Sequence, residues 1–206
     1  MVTARPASHS TRKPRAWQEA AGVPLLLLGL TLIYFWPQVG RGRALYWGDI
    51  GLYFTPMTQF LHDNLRAGRL PLWNPLILCG APFVGNPQTW PLYPLTALLP
   101  VVSAPYFLSL TVAVHVWLAG VGTVLFLRRA LGVGTGAALL GAMTFAFGGW
   151  LVSKEQFPNM VQTAAYLPWV LWGLGRLLRS GRMADALLFG LILGLQLLAA
   201  HAQVTL

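Results

Sequence analysis

Five carboxylates in 206 residues make every acidic side chain conspicuous. Asp49 follows Trp47-Gly48 and opens a run in which apolar residues recur at helical spacing. A carboxylate there has two uses. It can cap the helix by accepting from first-turn amides, or act as a general base toward an attacking hydroxyl. Pattern alone favours the cap, and one residue can serve both. Glu155, beside Lys154, reads as a hydrated loop charge. Asp63, with His62 adjacent and Arg66 three residues on, reads as a surface ion pair. Asp185 and Glu19 read as structural charges at a helix start and in a basic leader. His115 sits inside an apolar run and reads as a hydrogen-bonder within the bundle. Gln196, Ala200 and Gln203 share a helical face with His201 near its end, a polar patch that either packs on neighbours or lines a cavity.

Other chemistries lack their residues. Gly132-Val133-Gly134-Thr135-Gly136 has no preceding strand and no Lys-Ser/Thr after it, so it is not a phosphate loop. The single cysteine, Cys79, forms no intrachain disulfide, and no Cys/His spacing suits a structural metal.

The elements that must position these groups follow from composition. Hydrophobic residues make up 56% and charged residues 9%, against about 25% charged in soluble domains. The chain is expected to be an all-α polytopic membrane protein. Its net charge of +9 clusters at the ends of apolar runs and does not interleave with aromatics, which argues against nucleic acid. Residues 1–19 form a basic leader carrying Arg5, Arg12, Lys13 and Arg15, expected to be cytoplasmic. Spans are expected at 20–36, 105–127, 134–152, 160–178 and 183–206. The first reads as an uncleaved anchor, because no small-x-small site follows it. Arg128 and Arg129 then share the leader's side with Arg176, Arg179 and Arg182, as the positive-inside rule requires. The last run stops at Val204-Thr205-Leu206 without interfacial anchors, which suggests the N-terminal part of a longer protein.

Residues 37–104 are expected outside the cytoplasm. Asp49 to Arg66 reads as an amphipathic helix lying in the membrane interface, with Ile50, Tyr53, Phe54, Met57, Leu61 and Leu65 on its apolar side. Thr55, Gln59, His62, Asp63 and Arg66 take the other side. From Gly68 to Ala104, seven of the 15 prolines rule out a long helix, and Trp73, Phe83, Trp90 and Tyr93 make the segment too apolar for a solvated linker. A stiff loop packed on the bundle is expected.

This loop carries a recognisable series. Trp47-Gly48-Asp49 with Tyr53-Phe54-Thr55-Pro56, then Leu70-Pro71-Leu72-Trp73-Asn74-Pro75, Cys79-Gly80-Ala81-Pro82-Phe83, Asn86-Pro87-Gln88 and Leu92-Tyr93-Pro94-Leu95, resembles the bacterial YfhO-like membrane protein family. Tyr166-Leu167-Pro168-Trp169 and His201-Ala202-Gln203 extend the resemblance, which runs from Gly48 to the C-terminus. It implies a GT-C-like transmembrane helix bundle with a large first extracytoplasmic loop, in the bacterial cytoplasmic (inner) membrane. It also implies inverting transfer of a sugar from a polyprenyl-phosphate-linked donor to an envelope glycopolymer, lipid or protein acceptor. Asp49 would be the catalytic base, followed by Ile50 where better-known members of the architecture carry a second acid. Arg66, Arg69, Lys154, Glu155, His201 and Gln203 would bind the donor phosphate or substrate. No cofactor is required; a divalent metal is admitted, with no metal ligands assigned. A transporter or flippase of lipid-linked sugars, or a non-catalytic scaffold, would use the same bundle.

Overall fold

The computed structural model describes residues 14–205, with side chains from residue 22 onward. The basic leader, its four cations and Glu19 lie outside the described side chains. The described chain is mostly helical. Its helices are α1 (Pro14–Tyr34), α2 (Trp36–Val39), α3 (Thr55–Arg66), α4 (Ala104–Arg129), α5 (Thr135–Ala146), α6 (Gly149–Ser153), α7 (Pro158–Ala165), α8 (Leu167–Ser180), α9 (Met183–Leu198) and α10 (Ala202–Thr205). Two two-residue strands, β1 (Trp73–Asn74) and β2 (Ala81–Pro82), pair antiparallel in the proline-rich segment, and short 3₁₀ turns cover Pro87–Thr89 and Pro94–Val101.

Helix α4 is the axis. Its 26 residues extend about 39 Å at 1.5 Å per residue. Helices α1, α3, α5, α7 and α8 pack on it. Small residues let them approach. A Cβ on Gly120 would stand 3.4 Å from the Leu27 methyls and 3.5 Å from Ala146, so α1 and α5 meet α4 at one level. Gly122 leaves room for the Trp169 indole, whose Nε1 donates to the Leu118 carbonyl at 2.9 Å. Trp117 ties α1 to α4 by donating to the Pro24 carbonyl at 3.0 Å.

Two helices, Ala104–Arg129 and Thr135–Ser153, are long and apolar enough to cross a membrane. The second contains a break at Phe147-Gly148, between α5 and α6. The expected span 160–178 differs more. It divides at Tyr166 into α7 and α8, because Pro168 in the first turn of α8 has no N–H to continue the ladder. The expected span 183–206 also breaks. Helix α9 stops at Leu198, Ala200 takes a left-handed φ of +73°, and α10 starts at Ala202. Gln196 is thereby separated from Gln203. It is buried and donates to the Thr163 carbonyl at 3.1 Å, so the shared polar face expected from the sequence does not form.

The amphipathic helix starts as a π-helical turn, Ile50–Phe54, and continues as α3. Its apolar side is not left for lipid: Met57 and Leu61 pack with Phe83, Leu99 and Phe107. His62, assigned by spacing to the polar side, is buried with them. Arg128, Arg129, Arg176, Arg179 and Arg182 all lie at the end of the bundle where α4 and α8 finish and α9 starts. The Asp49 turn, Lys154, Glu155 and His201 lie at the other end.

Candidate functional site

The site is built on a short buried anchor. Ile50 and Phe54 are buried, and Phe54 stacks on Trp90 with ring centroids 5.5 Å apart and planes 11° from parallel. Gly48 enters the turn at φ +54°, and a Cβ there would collide with the side-chain oxygen of Gln156. The positive φ favours glycine here, and a larger residue would also push the end of the Gln156 side chain aside. Between Gly48 and Ile50, Asp49 is exposed. Its backbone is already helical, at φ −67° and ψ −22°, and its side chain makes no capping bond. A capping carboxylate usually sits on extended backbone so that it reaches back to the first amides. This one does not, which corrects the cap reading.

The loop against Gly48 carries Lys154, Glu155 and Gln156. Glu155 is not the hydrated charge expected from sequence: it is 8% exposed, and Tyr34 donates its hydroxyl proton to Oε1 at 2.8 Å. Burial pushes its carboxyl above the ordinary range, and the Tyr34 bond partly offsets this. Lys154 holds its ammonium 5.7 Å from the centre of the Phe157 ring.

One turn past Asp49, the Tyr53 hydroxyl accepts from Asn86 Nδ2 at 2.8 Å, and Asn86 Oδ1 accepts from the Gln88 amide at 3.1 Å. Asn86, Pro87 and Gln88 form one wall of a cleft of about 390 Å³ whose other wall is Ala200, His201, Ala202 and Gln203. Trp90 joins the walls by donating from Nε1 to the Ala199 carbonyl at 3.3 Å. Two of the sequence motifs, 115 residues apart, thus meet beside the Asp49 turn.

Tyr93, His115 and Tyr166 form a polar chain. Tyr93 bonds His115 Nε2 and the Tyr166 hydroxyl, each at 2.6 Å, and His115 Nδ1 lies 2.6 Å from the Thr111 carbonyl. One proton arrangement satisfies all three: Tyr166 donates to Tyr93, Tyr93 to Nε2, and Nδ1–H to Thr111. His115 is thus a hydrogen-bonder within the bundle, joining α4 to Tyr93 of the proline-rich segment.

Arg66 and Arg69 do not reach this group. Both are exposed at the far end of α3, Arg66 as its last residue and Arg69 just past it. Seventeen residues separate Arg66 from Asp49, about 25 Å along a helix. Asp63 is also there, its carboxyl held below the usual range by the bond from His62. Asp185 is buried at the opposite end of the bundle, bonded by Arg176 and Ser180 across the α8–α9 turn. Arg41 and Arg43, which motif reading passed over, are exposed in the loop that leads to Asp49. Tyr34 and Gln156 carried no sequence signal, and Asn86 and Gln88 stood in a quoted motif without an assigned role; tertiary packing brings all four to the site. Among the described residues no three His, Cys, Asp or Glu side chains gather as metal ligands.

Comparison with protein-family models, curated proteins and solved structures finds no match. What the site does has to be read from its own residues.

Proposed function

We propose that the chain is a polytopic membrane glycosyltransferase with a GT-C-like bundle, acting at the extracytoplasmic face of the bacterial cytoplasmic membrane. It moves a sugar from a polyprenyl-phosphate donor to an envelope acceptor with inversion. One observation carries this reading: Asp49 is an exposed carboxylate with no capping bond, on a turn fixed by buried Ile50 and Phe54. An unspent carboxylate on an anchored turn suits a general base, a role typically worth about 10²–10⁴-fold in rate. The acceptor oxygen attacks the anomeric carbon opposite the phosphate while Asp49 takes its proton. The anomeric carbon–oxygen bond breaks, and the electron pair leaves on the polyprenyl phosphate. Lys154, with Arg41 and Arg43, supplies positive charge at this end of the bundle for the departing phosphate. Arg66 and Arg69 are too distant for that task.

The test is Asp49→Asn against wild type in membranes at equal abundance, following transfer from polyprenyl-phosphate sugars. Transfer should fall at least a hundredfold in the variant; full activity would remove Asp49 from the mechanism. A second reading, a flippase for the same lipids, is favoured by the interrupted helices α5–α6, α7–α8 and α9–α10, since transporters build sites from discontinuous helices. Under it, labelled lipid-linked sugar would cross vesicle membranes unchanged, and Asp49→Asn would still move it.

A further inference from the structure

Resting on that reading, we propose that the cleft between Asn86-Pro87-Gln88 and Ala200-His201-Ala202-Gln203 holds the neutral, polyhydroxylated sugar ring of the donor, and not its phosphate. Its volume, about 390 Å³, lies at the lower end of small-molecule sites, about 300–1,000 Å³. No carboxylate, lysine or arginine lines it. A phosphate calls for cations or convergent amides. A sugar hydroxyl both donates and accepts, and so do a carboxamide and a neutral imidazole.

The polar groups divide into those that build the cleft and those left for a ligand. Asn86 is spent on Tyr53 and on the Gln88 amide. The Gln88 and Gln203 carboxamides make no hydrogen bond among the described residues. His201 Nδ1 is shielded from solvent and likewise unpartnered. A ligand hydroxyl that pairs this nitrogen as the ring turns into the cleft relieves the penalty of a buried unpaired group. The walls are held in place. Trp90 and Ala200 are non-glycine residues in the left-handed region, at φ +51° and +73°, and a hydrogen bond from Trp90 to Ala199 locks their segments together. Backbone strain of this kind persists where surrounding structure enforces it, and it clusters at ligand sites, with Leu78 and Cys79 carrying the same φ sign outside the cleft lining.

The experiment measures binding, not turnover. The whole chain in lipid nanodiscs is titrated with decaprenyl phosphate and with decaprenyl phosphate bearing glucose, mannose or galactose. Wild type should bind at least one hexose-bearing lipid more tightly than the bare phosphate. Gln203→Leu, Gln88→Leu and His201→Phe should each lose about three- to tenfold of that preference while affinity for bare decaprenyl phosphate stays unchanged. Asp49→Asn should keep the preference. Cleft variants that retain it would overturn the subsite while leaving the transferase reading intact. Equal loss of both lipids would also overturn it, because the cleft would then serve the phosphate or the fold. A wild type indifferent to the hexose would refute the subsite, and one that binds neither lipid would refute the transferase reading itself.

Discussion

The pairing of Tyr34 with buried Glu155 makes opposite predictions for two substitutions that look equally mild. Glu155→Gln keeps a carbonyl oxygen for the Tyr34 hydroxyl and removes the charge. Tyr34→Phe keeps the charge and removes the donor at 2.8 Å. Burial raises the Glu155 carboxyl above its ordinary value of 4.5. The folded chain therefore holds this proton at pH values where the unfolded chain has lost it. Unfolding then releases a proton, so stability falls as pH rises from about 4.5 through the raised folded value, and it levels off above that. Glu155→Gln should erase this slope and be more stable than wild type at pH 8. Tyr34→Phe should lose about 1–3 kcal/mol, the cost of an unsatisfied buried acceptor, and push the Glu155 carboxyl higher still. For a chain of this size that is about 2–12 °C in Tm. The assay is thermal unfolding in detergent, followed by tryptophan fluorescence at intervals from pH 4 to 8. If Glu155→Gln destabilises as much as Tyr34→Phe, or keeps the wild-type pH slope, the carboxyl is not buried in its neutral form and the reasoning fails.

Because Asp49 makes no capping bond, Asp49→Ala should change stability by less than about 0.5 kcal/mol, where loss of a working cap would cost about 1 kcal/mol; urea titration of the detergent-solubilised chain decides between them. Gly122→Ala should destabilise by about 1–3 kcal/mol despite the better helix propensity of alanine, because its Cβ would overlap the Trp169 indole; the paired variant Gly122→Ala with Trp169→Phe should recover part of the loss in thermal unfolding. Tyr93→Phe strands both the His115 imidazole and the Tyr166 hydroxyl, so it should cost more than Tyr166→Phe, which removes only the outer bond; the same unfolding assay ranks them.

What the sequence made legible was mostly local. The apolar run 105–127 lies within α4, and the proline-rich segment forms only turns and a two-residue hairpin because proline cannot donate to a ladder. Three apolar runs read as unbroken spans are interrupted, and the reasons were partly visible: Gly148-Gly149 in one, Pro168 in another. The third break, at Ala200, had no local signal, since alanine rarely takes a positive φ unless tertiary contacts hold it there. Burial of Glu155 was equally invisible. A Lys-Glu pair in a short loop carries the composition of a hydrated turn, and only the approach of Tyr34, 121 residues earlier, makes it otherwise. Spacing also could not tell a helix face turned to lipid from one covered by Phe83, Leu99 and Phe107.

The two ends of the bundle are built to different rules, and that asymmetry supports placing function at the Asp49 end. At the arginine end, α4 and α8 run to their termini without interruption, finish in cations that suit a helix C-terminus, and close the turn to α9 with an Arg176–Asp185 pair. At the other end all three helix interruptions occur, together with left-handed Trp90 and Ala200, a buried carboxyl, and the unpartnered His201 Nδ1. Each of these costs stability, and Trp90 and Ala200 keep their left-handed backbone inside the core that Leu108, Val112 and Val116 pack from α4. Local rules are broken where selection on something other than folding holds the chain in place. The breaks at Tyr166 and Ala199–His201 deliver Tyr166 to the Tyr93–His115 chain and His201 to the cleft, so the costly geometry and the candidate chemistry depend on the same residues.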